Sequence, residues 1–317
     1  MSKPRIFVDG QEGTTGLKIY ERLAGRGDLE VALIAPEKRK DAAARQALIN
    51  GSDVVFLCLP DAAAREAVAL VANPAVRVID ASTAHRVDPA WVYGFPELGR
   101  GQRDAVRQAR RISVPGCYAS GFVALVRPLV AAGVITPDCA LTCHAISGYS
   151  GGGKKLIAEY ESPARQPGDA LHAPRLYALG LAHKHLPEMK VHAGLAQAPL
   201  FNPMVGDFFQ GMVVSVPLLA RLLTKRLAPA ELRELLVAHY AGERFVRVLP
   251  FNNEAHLSGG FFDPMACNGT NNLEIAVFGH AEQIVLLARL DNLGKGASGA
   301  AVQCLNVLLG ADEATGL

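Results

Sequence analysis

With 317 residues, 50% of them hydrophobic and 20% charged, the chain has the composition of a globular protein that can bury one large or two medium cores. Its 32 basic and 30 acidic side chains nearly balance and form no basic cluster, which argues against a nucleic-acid partner. The opening residues contain no apolar signal core, and no uncharged apolar run approaches the roughly 18 residues of a membrane span, so we expect a cytoplasmic protein without a membrane partner.

Up to about residue 117, short apolar runs alternate with helical patterns. The runs are "RIFVDG", "LEVALIA", "DVVFLCLP" and "AVRVIDAS", and helical patterns lie between them in "TGLKIYERLAG", "AAARQALI" and "AAAREAVALVA". Strands separated by helices at this spacing are typical of βαβ units, in which helices cover both faces of a parallel sheet. We therefore predict an α/β fold that begins with a Rossmann-type domain.

The turn after the first strand carries three glycines at three-residue spacing: Gly10, Gly13 and Gly16. Amides at a helix N-terminus approach a pyrophosphate closely when no side chain obstructs them, and Thr14 and Thr15 can cap the helix or bond phosphate oxygens. This position favours dinucleotide binding. The alternative is a turn that only lets the helix pack closely, and Glu12 suits a phosphate site only if it points outward.

The end of the second strand distinguishes the two nicotinamide cofactors. An NAD site usually places an acidic residue there to hold the ribose hydroxyls, whereas "IAPEKRKD" offers Lys38, Arg39 and Lys40. These cations can pair with a 2′-phosphate, so NADP(H) is favoured. A solvated start of a helix is the alternative, and Glu37 leaves NAD open.

Cys117 lies in "RISVPGCYASGFVAL", where a strand-like run passes through Pro115 and Gly116 into the first turns of a helix. Unpaired amides and the positive dipole end of a helix stabilise a thiolate, the nucleophilic form of cysteine. A cysteine after the last strand of a dinucleotide domain suggests hydride chemistry on a thioester or thiohemiacetal. A small buried residue at a tight corner is the alternative.

From about residue 136 the pattern changes. Longer strand-like runs, "ALTCHAIS", "GMVVSVPLL", "RFVRVLP", "EIAVFGH" and "QIVLLARL", accompany helices such as "PAELRELLVAHY". They predict a second, α+β domain with a mixed or antiparallel sheet. A last apolar helix follows the glycine-rich turn that begins at Asp291, and its pattern does not indicate which domain it packs on.

The segment "LAHKHLPEMK" offers a proton donor for the cysteine. His183 and His185 share one side of an extended chain, and Pro187 and Glu188 begin a helix. One imidazole can hold the thiolate and donate to the oxyanion that forms on the acyl carbon, with Glu188 orienting it. Solvated or core histidines are the alternative.

The other five cysteines are interpreted as reduced packing residues, because their density is too low for a disulfide framework. Cys139, Cys143 and His144 are close in sequence, but in a strand the histidine faces away from the two cysteines. No further cysteine pair supplies the remaining ligands, so we predict no metal site.

Seven segments together resemble the N-acetyl-gamma-glutamyl-phosphate reductase family in its shorter variant: "PGCYAS", the glycine turn, "VYGFPELGR", "SGYSGGGKK", "HKHLPEM", "FNPMVGDFFQGMVVSVPL" and "DNLGKGASGAAVQ". The resemblance spans residues 5 to about 305. The family belongs to the aspartate-semialdehyde dehydrogenase-like superfamily, so the resemblance implies a glyceraldehyde-3-phosphate dehydrogenase-like fold. It implies an NADP-binding Rossmann domain of residues 1–117 completed by a C-terminal helix of 292–317. It also implies a substrate and oligomerisation domain of 118–291 and a homo-oligomer, either a dimer or a tetramer.

The reaction that the resemblance implies is the NADPH-dependent reductive dephosphorylation of N-acetyl-L-glutamate 5-phosphate to the 5-semialdehyde, in arginine biosynthesis. In that family pattern Cys117 is the nucleophile that forms a thioester. His185 takes the acid/base role, with His183 as its rival.

Five further residues take roles from the same resemblance. Ser82 and Arg86 lie in "DASTAHR", where the family has a Ser and an Arg, and a guanidinium there can clamp the acyl phosphate bidentately. Lys154 is a candidate phosphate contact in a loop that differs from that of longer family members. Asn292 and Gly296 are expected at the nicotinamide end.

Three other readings stay open. Aspartate-semialdehyde dehydrogenase shares the chemistry but acts on a different substrate. A Cys-His hydrolase or transferase needs no nucleotide, and a non-catalytic Rossmann redox sensor would use Cys117 as its responsive thiol. A substrate in which an amino-group carrier protein replaces the acetyl group is a further alternative.

Overall fold

The strands of this chain are short and pair into two sheets. In the computed structural model, which describes residues 3–252 and 254–317, they are β1 Arg5–Asp9, β2 Glu30–Ala32, β3 Val54–Leu57, β4 Arg77–Asp80, β5 Val92–Tyr93, β6 Arg111–Ser113, β7 Thr142–Gly148, β8 Arg175–Leu176, β9 Leu200–Gly206, β10 Met212–Leu219, β11 Val246–Val248, β12 Leu273–Gly279 and β13 Gln283–Leu290. The α-helices are α1 Thr14–Ala24, α2 Ala42–Asn50, α3 Asp61–Ala69, α4 Gln102–Gln108, α5 Cys117–Ala131, α6 Gly153–Tyr160, α7 Leu186–Ala193, α8 Pro229–His239 and α9 Gly299–Leu309. None of the helices formed by these residues is both long and apolar enough to span a membrane.

The chain divides into two compact units. The first contains the residues up to Pro96, Arg100–Pro115 and Ala297–Leu317. The second contains Glu97–Gly99 and Gly116–Gly296. Glu97–Gly99, Gly116, Cys117 and residues 292–296 lie in the second unit, so its boundaries lie a few residues from the predicted ones. Gly116 and Gly296 both pack against parts of that unit.

The sheet of the first unit is entirely parallel, with strand order β2-β1-β3-β4-β6-β5. Strand β1 lies between β2 and β3, so the chain first passes to one side of β1, to form β2, and then crosses to its other side, to form β3. In open α/β sheets, ligands bind at such a switch point, beyond the carboxyl ends of the strands. The glycine turn that follows β1 therefore occupies the usual place of a nucleotide.

Successive side chains of β1 point to opposite faces of this sheet, and helices cover both faces. Ile6 and Val8 belong to one apolar core, which includes buried residues of α1 and α9. Phe7 belongs to the other core, together with Ile49 of α2 and side chains of α3. The predicted Rossmann-type sheet is confirmed, and α9 completes the first unit.

The second unit contains a mixed sheet with strand order β11-β12-β13-β10-β7-β9-β8. Its central strands pair antiparallel, while β7 with β9 and β11 with β12 pair parallel. Helices α5, α7 and α8 pack in this unit, and Gly121 of α5 lies so close to β10 that a Cβ there would meet Val214 at 2.7 Å. The predicted α+β class with a mixed sheet is confirmed.

Several elements were not predicted from the sequence, namely α4, α6, β5, β8 and β9. Two of these strands contain two residues each, too few to show an alternating pattern. Strand β9 contains Pro203, which removes a backbone donor and argues against a central strand. It nevertheless lies between β7 and β8 in the sheet.

Candidate active site

The glycine turn has the close packing and the open helix end that a pyrophosphate needs. Gly10 has a φ of +88°, and a Cβ on it would lie 2.3 Å from the Cys58 carbonyl oxygen. A Cβ on Gly16 would lie 2.3 Å from the Gly10 carbonyl oxygen. At Gly13 the nearest protein atoms would be 3.5 Å away, so no protein atom requires glycine there. A glycine without a packing reason leaves room for a ligand.

Helix α1 begins without a side-chain cap. Its N-cap is Gly13, in an extended conformation, so Thr14 and Thr15 are the first helical residues and do not cap the helix. The first-turn amides of a helix have no intrahelical acceptor. They are therefore free of side-chain competition for an anion, and the two threonine hydroxyls lie beside them.

One of the cations after β2 pairs with an acidic side chain of the glycine turn. Arg39 forms an ion pair with Glu12, whose side chain is 64% exposed. Lys38 is exposed in the 3₁₀ turn Pro36–Lys38. The pairing removes the difficulty that Glu12 poses for a phosphate site, because this carboxylate points outward and its charge is met by a guanidinium.

Ser82 and Arg86 follow β4 in a turn organised by a buried carboxylate. Ser82 donates its hydroxyl to Asp80 Oδ2 at 2.7 Å and accepts the Ala84 amide at 3.1 Å. His85 Nδ1 lies 2.6 Å from the same Asp80 oxygen, and Arg86 donates to the Ala81 carbonyl at 3.2 Å. These contacts fix the turn, and a phosphate contact for Ser82 or Arg86 stays a prediction.

Cys117 is the first residue of α5 and is partly exposed. Gly116, in an extended conformation, is the N-cap, and no side chain caps the helix. The Gly116 amide donates to Glu188 Oε1 at 2.7 Å, and Glu188 is only 1% exposed. The carboxylate thus binds the amide that precedes Cys117, while the first-turn amides that follow stabilise charge on the sulfur. The role predicted for Glu188, orienting a histidine, stays a prediction.

Gly296 packs directly against the cysteine. A Cβ on Gly296 would lie 2.8 Å from the Cys117 Cβ and 3.2 Å from its Cα. The amides of Gly294 and Gly296 both donate to the Asp291 carbonyl, at 3.1 and 3.0 Å. The backbone of this tight turn therefore forms one wall of the cysteine site, which places Gly296 in the second unit and beside the sulfur-bearing residue.

The two predicted histidines lie in an aromatic cluster next to the cysteine. The rings of His183 and His185 are 4.7 Å apart and lie 5.7 and 5.8 Å from the ring of Tyr118, the residue after Cys117. The His185 amide donates to His183 Nδ1 at 3.1 Å, so a neutral His183 carries its proton on Nε2. His185 is buried and is the N-cap of α7.

Two tyrosines of this cluster were not predicted. The Tyr177 hydroxyl donates to the Tyr118 hydroxyl at 2.9 Å. Burial raises the pKa of both phenols, and the nearby Cys117 charge adds to the rise. Tyr118 could have been found from its place in "PGCYAS", but nothing in the sequence around Tyr177 indicates this contact.

Two further predicted residues, Lys154 and Asn292, also lie in the second unit. Lys154 is exposed in the first turn of α6. Asn292 is buried, donates to Ser150 Oγ at 3.0 Å and accepts the Gly211 amide at 2.7 Å. Their roles toward phosphate and nicotinamide stay predictions.

Comparison with known proteins identifies the family. Residues 5–109 match the model "Semialdehyde dehydrogenase, NAD binding domain", and residues 117–292 match "Semialdehyde dehydrogenase, dimerisation domain". N-acetyl-gamma-glutamyl-phosphate reductase 2 of Nostoc sp. is 51% identical over 322 residues, covering 100% of both chains. The enzyme of the same name from Burkholderia lata is 50% identical over 317 residues, covering 99% of this chain and 98% of that one. The chain belongs to the N-acetyl-gamma-glutamyl-phosphate reductase family.

Solved structures of more distant proteins share the fold of this family member. Aspartate semialdehyde dehydrogenase II of Vibrio cholerae has a TM-score of 0.70 at 15% identity, covering 98% of this chain and 99% of that one. The enzyme of Candida albicans, crystallised with NADP, has a TM-score of 0.67 at 15% identity, covering 97% and 99%. At these identities the likeness shows the fold alone.

Three other cysteines of this reductase-family chain have a thiol pKa above the ordinary value. Burial raises the pKa of the Cys143 thiol, and it raises that of Cys267 to about 12. Burial, with the charges of Asp80 and Asp9, raises the pKa of Cys58.

Within residues 3–252 and 254–317, no group of three His, Cys, Asp or Glu side chains is placed to hold a metal ion.

A buried ion pair beside the cysteine was also missed by sequence reasoning. Lys295 Nζ lies 2.7 and 2.8 Å from the two carboxylate oxygens of Glu97, and both side chains are fully buried. Both residues lie in segments that carry the family resemblance, "VYGFPELGR" and "DNLGKGASGAAVQ". Nothing in either segment alone indicates that their side chains meet.

Proposed function

We propose that this chain reduces N-acetyl-L-glutamate 5-phosphate with NADPH to N-acetyl-L-glutamate 5-semialdehyde and phosphate, through a thioester on Cys117, in arginine biosynthesis. The observation that carries the proposal is the seating of Cys117 at the start of α5, next to a histidine-containing cluster, in a family whose relatives are named for this reaction.

Cys117 attacks the acyl carbon of the substrate. A carbon–sulfur bond forms, the carbon–oxygen bond to the phosphoryl group breaks, and phosphate leaves with the bonding electrons. Covalent capture divides one difficult displacement into two easier steps. The helix N-terminus supports the thiolate form of the nucleophile, and Glu188 keeps that helix end in place through the Gly116 amide.

His185 is the proposed acid/base, with His183 as its rival. The group that acts holds a proton for the carbonyl oxygen as negative charge develops there. Both rings lie against Tyr118, the residue that follows Cys117 in α5. Replacing each histidine by Asn and measuring the pH dependence of kcat separates them, because only loss of the acid/base removes the corresponding titration.

Phosphate recognition is assigned to Arg86, Ser82 and Lys154. Arg86 is the strongest of these, since a guanidinium matches the planar, bidentate geometry of a phosphate. Lys154 is exposed and so can reach a dianion at little desolvation cost.

The residues around the glycine turn fit NADP(H). Gly13 leaves the open space that a pyrophosphate requires, and the uncapped first turn of α1 offers amides. The amides of Gly10–Gly16, with Thr14 and Thr15, would hold the pyrophosphate, and Lys38 and Arg39 the 2′-phosphate. When bound, the cofactor supplies the hydride that reduces the thioester. Asn292 and Gly296 remain the proposed neighbours of the nicotinamide.

A homo-oligomer is proposed to form through the outer face of the second sheet. Along β10, Met212, Val214 and Val216 are buried, whereas Val213 and Pro217 alternate with them on the more exposed face. A face of this kind, in a region that matches a dimerisation domain, suits a second copy of the chain. Val213→Glu should convert the oligomer into monomers in light scattering, and unchanged mass would contradict this interface.

The cytoplasm is the proposed location. None of the six cysteines, all of which lie in the described residues, forms a disulfide, as expected of a reducing compartment. The proposed nucleophile also requires a reduced thiol.

The decisive experiment traps the thioester. The protein is mixed with the acyl phosphate in the absence of NADPH, quenched in acid, digested and analysed by mass spectrometry. We expect the mass of one N-acetylglutamyl group on the peptide that contains Cys117. Cys139→Ala, which removes another partly exposed thiol, should not change the result. Label on any other residue, or its persistence in Cys117→Ala, would contradict the proposal.

A further inference from the structure

The buried pair of Lys295 and Glu97 is a candidate for a role in the cysteine site. The ammonium group bonds both carboxylate oxygens, at 2.7 and 2.8 Å, and neither side chain reaches solvent. The Phe245 ring centroid lies 5.8 Å from the ammonium nitrogen. Burying two charges is costly unless their mutual geometry is excellent, and breaking such a pair is strongly unfavourable. The pair is therefore a rigid link between two segments of the second unit.

At one end, the pair holds the turn that touches Cys117. Residues Gly294–Ser298 form a π-helical turn, a conformation that is frequent at functional sites. Lys295 lies between two glycines that have no room for a side chain. A Cβ on Gly294 would lie 2.4 Å from the Thr270 carbonyl oxygen, and one on Gly296 would lie 2.8 Å from the Cys117 Cβ.

At the other end, Glu97 belongs to the short segment Glu97–Gly99, which is held within the second unit. The carbonyl of Leu98 hydrogen-bonds to His239 of α8. The adjacent Tyr240, near enough for the Glu97 charge to help raise its pKa, donates to the Ala124 carbonyl of α5 at 2.7 Å. Glu97 thus lies among residues that contact the helix carrying Cys117.

We propose that Lys295 and Glu97 are positioning residues for the cysteine: their ion pair fixes the turn at Gly294–Gly296 so that the Gly296 backbone packs against Cys117 and holds its sulfur at the helix N-terminus. The inference deepens the proposed function, since it gives the reactive thiol its orientation. Stability alone does not explain the arrangement, because a buried ion pair is often no more stabilising than a well-packed apolar replacement.

The test measures the reactivity of the thiol itself, without cofactor or substrate. The protein is exposed to iodoacetamide from pH 6 to pH 10, and alkylation of the Cys117 peptide is followed by mass spectrometry. Glu97→Gln keeps the shape of the side chain and removes its charge. We expect alkylation at neutral pH to slow by roughly fivefold or more, as a misplaced reactive group loses alignment, and kcat to fall with little change in KM for the acyl phosphate.

Lys295→Met breaks the same pair from the other end and should give the same change. The double variant Glu97→Gln/Lys295→Met leaves no lone buried charge, so it keeps a folded protein available if either single variant does not fold. We expect the double variant to show the slowed alkylation as well.

Arg289→Met is the matched control. Arg289 bonds Glu274 at 2.7 Å in the same unit, with side chains only 6% and 16% exposed. Breaking this pair should lower Tm without changing the pH profile of Cys117. If Glu97→Gln and Lys295→Met lowered Tm but were alkylated at Cys117 with the same pH profile as the unaltered protein, the positioning role would be overturned. Because alkylation needs no substrate, this failure is distinguishable from absence of the thioester.

Discussion

Helices α1 and α5 begin in the same way and are used differently. Each follows a parallel strand of the first sheet along the chain, and each has a glycine N-cap without a side-chain cap. The N-cap conformations are close, with φ −66° and ψ 155° at Gly13, and φ −75° and ψ 146° at Gly116. Local backbone geometry therefore does not decide which helix end carries the reactive group.

The difference lies in what packs on each helix end. Around Gly13 the turn leaves space, and α1 offers amides and two threonines. At α5, Glu188 occupies the Gly116 amide, and Gly296 closes on Cys117. In the proposed function, the open strand–turn–helix corner binds the pyrophosphate and the enclosed one carries the nucleophile.

The largest effect should come from removing the nucleophile of the second corner. Cys117→Ala should lower kcat by about 10⁴-fold or more, since catalytic groups that act as a unit lose most of their effect together. The affinity for NADPH, measured by fluorescence, should stay within about twofold, because the first corner is unaltered. Turnover that survives in this variant would favour a different nucleophile or a non-catalytic role of the thiol.

Activity should also fall when the turn that packs against Cys117 is changed. Gly296→Ala places a methyl group 2.8 Å from the Cys117 Cβ, so the cysteine or the turn must move. A displacement of about 1 Å at a reacting group typically costs about 10²-fold in rate, and we expect a loss of that order in kcat. Gly99→Ala is the control, since a Cβ there meets nothing within 4 Å. Equal activity of the two variants would show that the contact with Gly296 is unimportant.

The two corners also differ in how well the sequence predicts them. The glycine spacing and the Pro-Gly-Cys corner are local, so the start of α1 and the start of α5 were both predicted correctly from periodicity and turn residues. The enclosure of Cys117 was not. Glu188 and Gly296 reach it from segments far along the chain, and such contacts depend on tertiary packing that no single segment encodes.

Two further residues show the same limit. The sequence does not indicate that Glu188 accepts a hydrogen bond from the Gly116 amide, which the folded chain shows at 2.7 Å. A lysine is rarely fully buried, yet the Lys295 side chain is fully buried in its ion pair with Glu97. Long-range pairing of charged side chains has no periodic signature, and only the folded chain shows it.

Alanine at the glycines of the open corner should separate packing from ligand space. Gly16→Ala forces a Cβ to 2.3 Å from the Gly10 carbonyl oxygen, and overpacking of this kind costs about 1–3 kcal/mol of unfolding free energy. Gly13→Ala meets protein atoms only at ordinary contact distances, so its unfolding free energy should change little.

The two variants should therefore differ in stability and agree in weakened binding. Urea denaturation should show the loss for Gly16→Ala and little change for Gly13→Ala, while NADPH titration should show weaker binding in both variants. If Gly13→Ala bound NADPH as tightly as the unaltered protein, the open space beside this glycine would not be the pyrophosphate site.

The smallest effect concerns the edge of the open corner, where Arg39 has two possible partners. It is paired with Glu12, but both side chains are partly exposed, at 29% and 64%, so the pair contributes little. A 2′-phosphate carries more charge than a carboxylate, so it should replace Glu12 as the partner of the Arg39 guanidinium. Arg39→Ala then removes one charge-assisted hydrogen bond, worth about 1.5 kcal/mol, and raises the Kd for NADPH roughly tenfold.

The affinity for NADH provides the control, because NADH lacks the 2′-phosphate and should bind the Arg39→Ala variant about as it binds the unaltered protein. Glu12→Gln should act in the opposite direction and tighten NADPH binding a few-fold, since the arginine is released and a repelling carboxylate disappears. An equal loss of both nucleotides in Arg39→Ala would mean that this residue supports the turn and does not select the cofactor. Opposite signs for the two substitutions would instead show that Glu12 and the 2′-phosphate compete for one guanidinium.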